Sequence, residues 1–105
     1  MQITTTEGRT NIMTLKRLNE VMRNPKLYAQ TKALYSYLYV RADHKTNLAY
    51  PPKKQMLEEI RLTEPLFMQG IAVLENQGYI KTGTAEGINK ETKETYTYTT
   101  YQLLD

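Results

Sequence analysis

The chain of 105 residues has no cysteine and no tryptophan, and it has a single phenylalanine (Phe67), histidine (His44) and serine (Ser36). Without cysteine there can be no disulfide, no thiolate metal site and no cysteine nucleophile, a composition that fits a reducing cytoplasm. No apolar run approaches the roughly 20 residues of a membrane-spanning helix. The opening MQITTTEGRTN lacks both the charged and the apolar region of a signal peptide. A cytoplasmic protein with no membrane partner is therefore expected. His44 lies in a polar stretch and forms no ligand motif with the acids, and Ser36 falls on a predicted helix. There is no phosphate-binding loop and no paired-carboxylate arrangement, so the expectation is a protein that is not an enzyme and needs neither metal nor cofactor.

The size fits one domain, which would bury about two-thirds of the surface its unfolded chain exposes. The net charge of +3 is unevenly spread. Residues 1–50 hold eight basic side chains against three acidic ones, whereas 51–80 and 81–105 are each one unit acidic. The nine tyrosines must supply the aromatic part of the core.

Along the chain, the Thr-rich residues 1–10 show no periodicity and read as a flexible arm, followed by a domain over 11–105. Ile12 to Leu15 suggests a short strand and Lys16 to Met22 a helical turn, ended by Pro25. Apolar recurrence predicts a helix from about Gln30 to Ala42 with Leu34, Tyr37 and Leu38 inward. Leu48 to Tyr50 reads as a short strand. Pro51 and Pro52 open a helix whose apolar face is Met56, Leu57 and Ile60. Thr63 is placed as the N-cap of a second helix, with Glu64 near the positive end of its dipole and Phe67, Ile71 and Leu74 inward. Gly70 suggests close approach of another backbone, and Gly78 ends this helix as a C′ residue. A strand begins at Tyr79-Ile80, a polar tip runs from Thr84 to Glu94, and TYTYTTYQLL forms the return strand. Alternation puts Thr97, Thr99, Tyr101 and Leu103 on the core face, leaving Tyr96 and Tyr98 more exposed. Helix, tight turn, helix and hairpin in this order make an α+β winged helix, a fold used mostly to place one helix in a DNA groove.

Two segments also carry a family resemblance. NPKLYAQTKALYSYLYVRAD, then AYPPKKQMLEEIRLTEPLFMQGIAVLENQGYIK with a terminal TTYQLL, resembles the helix-turn-helix domain of bacterial plasmid and phage replication initiators and related regulators of mobile elements. The likeness covers residues 12–104 and rests on framework positions such as Leu38, Tyr50-Pro51, Leu57, Leu74 and Gly78-Tyr79-Ile80. It implies double-stranded DNA as partner, a role in replication or transcription control, and a homodimer.

Where that family offers Ser, Thr, Arg or Lys to DNA, this chain has Glu64, Pro65, Leu66, Met68 and Gln69. Gln69 has a side chain suited to adenine, Glu64 could accept from cytosine, and Thr63 is a further polar candidate. Arg61 stands where such a turn commonly has glycine. Lys53 and Lys54 read equally as phosphate clamps or as a solvated first turn, and Lys81, Lys90 and Lys93 on the wing have acidic neighbours. The basic cluster Lys16, Arg17, Arg23 and Lys26 could meet a neighbouring duplex turn or acidic lipid, against a default of scattered surface charge. A second class of function stays open. Pro65, Leu66 and Met68, extended by Tyr96 and Tyr98, could form a contact surface for self-association or for another protein.

Overall fold

Helical periodicity extends further toward the N-terminus than the short apolar cluster there suggests. A computed structural model describes residues 12–104, in which Ile12–Arg23 is one continuous helix, α1, and not a strand followed by a turn. Leu15, Leu18, Val21 and Met22 repeat at three- and four-residue spacing, so the pattern of Lys16–Met22 simply starts earlier. Val21 is fully buried. The expected arm over residues 1–10 lies outside the described residues. At the end of α1, Lys32 Nζ donates to the Met22 carbonyl at 2.9 Å, satisfying one of the carbonyls a helix end leaves open.

The next elements are α2 (Ala29–Arg41), β1 (Leu48–Ala49), α3 (Lys53–Ile60), α4 (Glu64–Asn76), β2 (Ile80–Ile88) and β3 (Thr95–Leu103). Together with α1 they make a small α+β domain: four helices and one antiparallel sheet of strand order β1-β3-β2 among the described residues. The inward residues of α2 are Thr31, Leu34, Tyr35 and Leu38. Tyr37, expected in the core, is only partly buried against it, with its hydroxyl directed to α3. Its hydroxyl donates to Glu59 Oε1 at 2.6 Å, and the Arg41 guanidinium lies over its ring at 4.1 Å while pairing with Glu59 at 2.9 Å. This cluster fastens α2 to α3. Desolvation, then the bond to Glu59, raises the Tyr37 pKa, and the same bond holds Glu59 below the ordinary glutamate value.

Between α3 and α4 the local signals act as expected. Met56 is buried with Leu57 and Ile60 packed beside the core, and the Thr63 hydroxyl accepts from the Leu66 N–H at 3.4 Å. In α4, Phe67, Gly70 and Leu74 are buried, with Ile71 partly so. The neighbour Gly70 admits is a side chain and not a backbone: a Cβ there would lie 2.9 Å from Leu34 Cδ2. Gly78, at φ +82°, closes the helix. Its N–H donates to the Glu75 carbonyl and that of Tyr79 to the Leu74 carbonyl, the two bonds of a Schellman motif.

The hairpin is longer and its tip shorter than the sequence suggests. Pairing runs without a break from Ile80↔Leu103 to Ile88↔Thr95, which leaves Asn89–Glu94 as the turn in place of Thr84–Glu94. Gly87 lies opposite Tyr96, and a Cβ on it would sit 2.6 Å from the tyrosine ring. A glycine that reads as loop is thus a strand residue roofed by an aromatic side chain. On β3, Tyr101 and Leu103 are buried and Tyr96 is exposed, as alternation predicts, but Thr97 and Thr99, expected on the core face, are exposed and Tyr98 is half-buried, because this part of the hairpin runs past the core and the Tyr98 ring packs between Tyr50 and Tyr96; Tyr79 also joins the core.

Arg17 ties the first helix to the far end of the chain. Its guanidinium donates to the carbonyls of Leu104 (3.2 Å) and Gly78 (3.1 Å), pairs with Glu20 at 2.9 Å, and lies 4.9 Å from the Tyr79 ring centre. This partly buried arginine therefore serves the fold. Arg17→Ala is expected to cost about 2 kcal/mol, since hydrogen bonds from a charged donor contribute roughly 1.5–3 kcal/mol. Lysine should restore less than half of the loss, because it lacks the planar fork. Urea denaturation of the three proteins checks both statements.

Candidate functional site

The turn between α3 and α4 is set by one residue. Arg61 adopts φ 63°, ψ 45°, the left-handed conformation for which glycine is the usual choice, and this lets the chain reverse within three residues. Thr63 then caps α4, so its hydroxyl is already engaged by the helix it starts. Pro65 fits the first turn, where its missing N–H has no partner to lose.

One face of α4 packs inward and the opposite one is free. Glu64, Pro65, Leu66, Met68, Gln69 and Ala72 are exposed, with Met68 at 57% and Leu66 at 37% of full exposure. This helix has no basic residue along its length. At its end, Glu75 faces the sheet: it accepts from the Thr82 N–H (3.1 Å) and hydroxyl (2.8 Å), which hold its pKa below the ordinary glutamate value.

Lys53 and Lys54 both stand exposed on the first turn of α3, but their situations differ. Lys53 Nζ is 2.5 Å from Glu64 Oε2, so a lysine expected to clamp phosphate is held by the first residue of α4. Both side chains remain about half exposed, which makes the pair weak and open to competition by another anion. Among the described residues, the ion pairs are Arg17–Glu20, Arg41–Glu59 and Lys53–Glu64, and none includes Lys54, Arg61, Lys81, Lys90 or Lys93.

The hairpin lysines are not one cluster. Lys81, at the base of β2, shares a shallow depression with Gln69, Val73 and Asn76 of α4. Lys90 and Lys93 sit in the tip, roughly 25 Å of strand away. There, Asn89 Oδ1 accepts from the N–H groups of Glu91 and Thr92, and Lys93 takes a left-handed φ of 64°. Of the basic residues near the N-terminus, Arg17 belongs to the fold, while Lys16, Arg23 and Lys26 are exposed.

The site also includes a residue read in the sequence only as a framework position. Tyr50 packs against Tyr98 with ring centres 5.6 Å apart, and Tyr98 against Tyr96 at 6.0 Å. The three rings form a row on the outer side of the sheet, beside a groove of about 550 Å³ lined by Pro51, Pro52 and Lys53. The signal was the parity of Leu48 and Tyr50, which becomes useful only once Leu48 is known to pair with Gln102. No group of three His, Asp or Glu side chains with metal-site geometry occurs among the described residues. Likewise, no helix among them is long and apolar enough to cross a membrane. Comparison of the chain with protein-family models and with curated proteins found no match.

Proposed function

We propose that this protein is a winged-helix DNA-binding protein of a plasmid, phage or other mobile element, acting in the cytoplasm on replication or transcription. The observation that carries the reading is the free outer face of α4, presented by a capped, sharply turned helix pair with a β-hairpin beside it. In this reading α4 enters the major groove of duplex DNA. Gln69 is the base-reading side chain, and Lys53, Lys54, Arg61 and Lys81 meet the backbone. Lys90 and Lys93 reach a neighbouring phosphate stretch from the hairpin tip.

Such contacts release counterions, so affinity should fall steeply with salt. Replacing Lys53 and Lys54 together by alanine should flatten the plot of log affinity against log salt by about 1–2 units. Fluorescence polarisation on a labelled duplex measures this, and a slope indifferent to both lysines would count against the reading.

A second reading is favoured by the absence of basic residues from α4 and by the exposure of Leu66 and Met68. Here Pro65, Leu66 and Met68 form a protein-docking patch. Replacing Leu66 and Met68 together by aspartate should then abolish a protein complex seen by light scattering and leave DNA affinity unchanged. Weakened DNA binding with association intact would instead return the face to DNA.

A further inference from the structure

Among the described residues, the strand β3 has an edge left unpaired from Thr95 to Thr99. Beside it, β1 pairs only through Leu48 and Ala49, opposite Gln102 and Tyr101. Pro51 follows one residue later, after Tyr50, and a residue without an N–H cannot extend the ladder. The Leu103 N–H donates to the Asn47 carbonyl at 2.8 Å, which fixes the parity of the strand: odd-numbered residues aim their backbone groups toward β1. The pairing of β3 with β2 contains no bulge, so the same parity holds up to Thr95. The N–H and C=O groups of Thr95, Thr97 and Thr99 therefore point to this edge, and Thr97 and Thr99 line the groove between β3 and the Tyr50–Lys53 segment.

Natural edge strands are usually guarded by charge, proline or a bulge. This one is not: Thr95 to Leu104 has no charged residue, no proline and no glycine. An antiparallel copy of the same strand satisfies it fully. With a two-fold axis at Thr97, each Thr97 bonds its counterpart and Thr95 bonds Thr99 of the second copy, all through outward-pointing odd residues. On the outer face, Tyr96 then stands opposite Tyr98 of the second copy, so two pairs of rings interleave across the axis. Hydrogen-bond parity and ring placement agree on one occupant.

We infer that β3 is a dimerisation edge, and that two copies of this chain join into one continuous six-stranded sheet through Thr95–Thr99. The inference does not depend on DNA binding, since α4 takes no part in it. Sedimentation equilibrium of the full chain tests it, with a monomer–dimer equilibrium expected in the micromolar range. Thr97→Pro removes an outward N–H and leaves the β2 ladder intact, while Thr97→Lys sets like charges across the axis; each should weaken the dimer by about tenfold or more with unchanged circular dichroism. Because the chain has no other cysteine, Thr97→Cys should form a covalent dimer on oxidation, which keeps the test valid if the proline variant misfolds. A chain that stays monomeric throughout, or a dimer unaffected by Thr97→Lys, overturns the proposal.

Discussion

Leu34→Ala is expected to destabilise the domain by about 3–4 kcal/mol, within the usual range for emptying a fully buried leucine site. Leu34 has no solvent exposure and sits where α2 meets α4. Its Cδ2 occupies the space that a side chain at Gly70 would claim. The two positions should therefore be coupled, with a change of sign. In the natural sequence, Gly70→Ala gains about 1 kcal/mol of helix propensity but drives a methyl into Leu34, an overpacking cost of roughly 1–3 kcal/mol. In the Leu34→Ala background the clash is gone, so the same substitution should stabilise by about 1 kcal/mol. Urea denaturation of the four proteins completes the double-mutant cycle. Additive effects would show that the close approach of Gly70 and Leu34 is not what fixes the α2–α4 contact.

On the DNA-binding reading, Glu64→Gln should tighten DNA binding by about tenfold, the equivalent of ~1.4 kcal/mol. Three effects act in one direction. The carboxylate stands at the start of α4, where the helix dipole would otherwise favour a phosphate. It also repels phosphate directly, and it holds Lys53 at 2.5 Å. Releasing that lysine adds one phosphate contact and should steepen the salt dependence by about 0.9 in log–log slope. Lys53→Ala in the Glu64→Gln background should cancel the added slope. Glu64 is thus read as a brake on DNA affinity, and unchanged or weaker binding by Glu64→Gln would refute that role.

How far the sequence discloses these features depends on whether the deciding contacts are local. Thr63, Pro65 and Gly78 act through their own backbone neighbours, so the span and caps of α4 can be read from the sequence, as can the alternation that buries Tyr101 and Leu103. On α2, apolar residues occupy every side: Leu34, Tyr35, Tyr37, Leu38, Tyr39 and Val40 follow nearly without interruption. Spacing alone cannot choose between Tyr35 and Tyr37 for the core. The choice is made by Arg41 and Glu59, which give Tyr37 an outward partner. Gly87 is hidden for a similar reason, since its cover comes from Tyr96 across the hairpin. The basic residues of the candidate site are visible in the sequence, but their separation and the capture of Lys53 by Glu64 are not, because helix packing sets those distances.

Whether the α4 face with its flanking lysines binds duplex DNA can be read from one polarisation experiment. DNA flanking the chain's own gene and a random duplex of equal length are titrated at roughly 50 and 200 mM salt. Tighter binding to the flanking DNA is expected at both concentrations, with affinity for each duplex dropping steeply as salt rises. Absence of binding to either duplex at the lower salt concentration would contradict the DNA-binding reading.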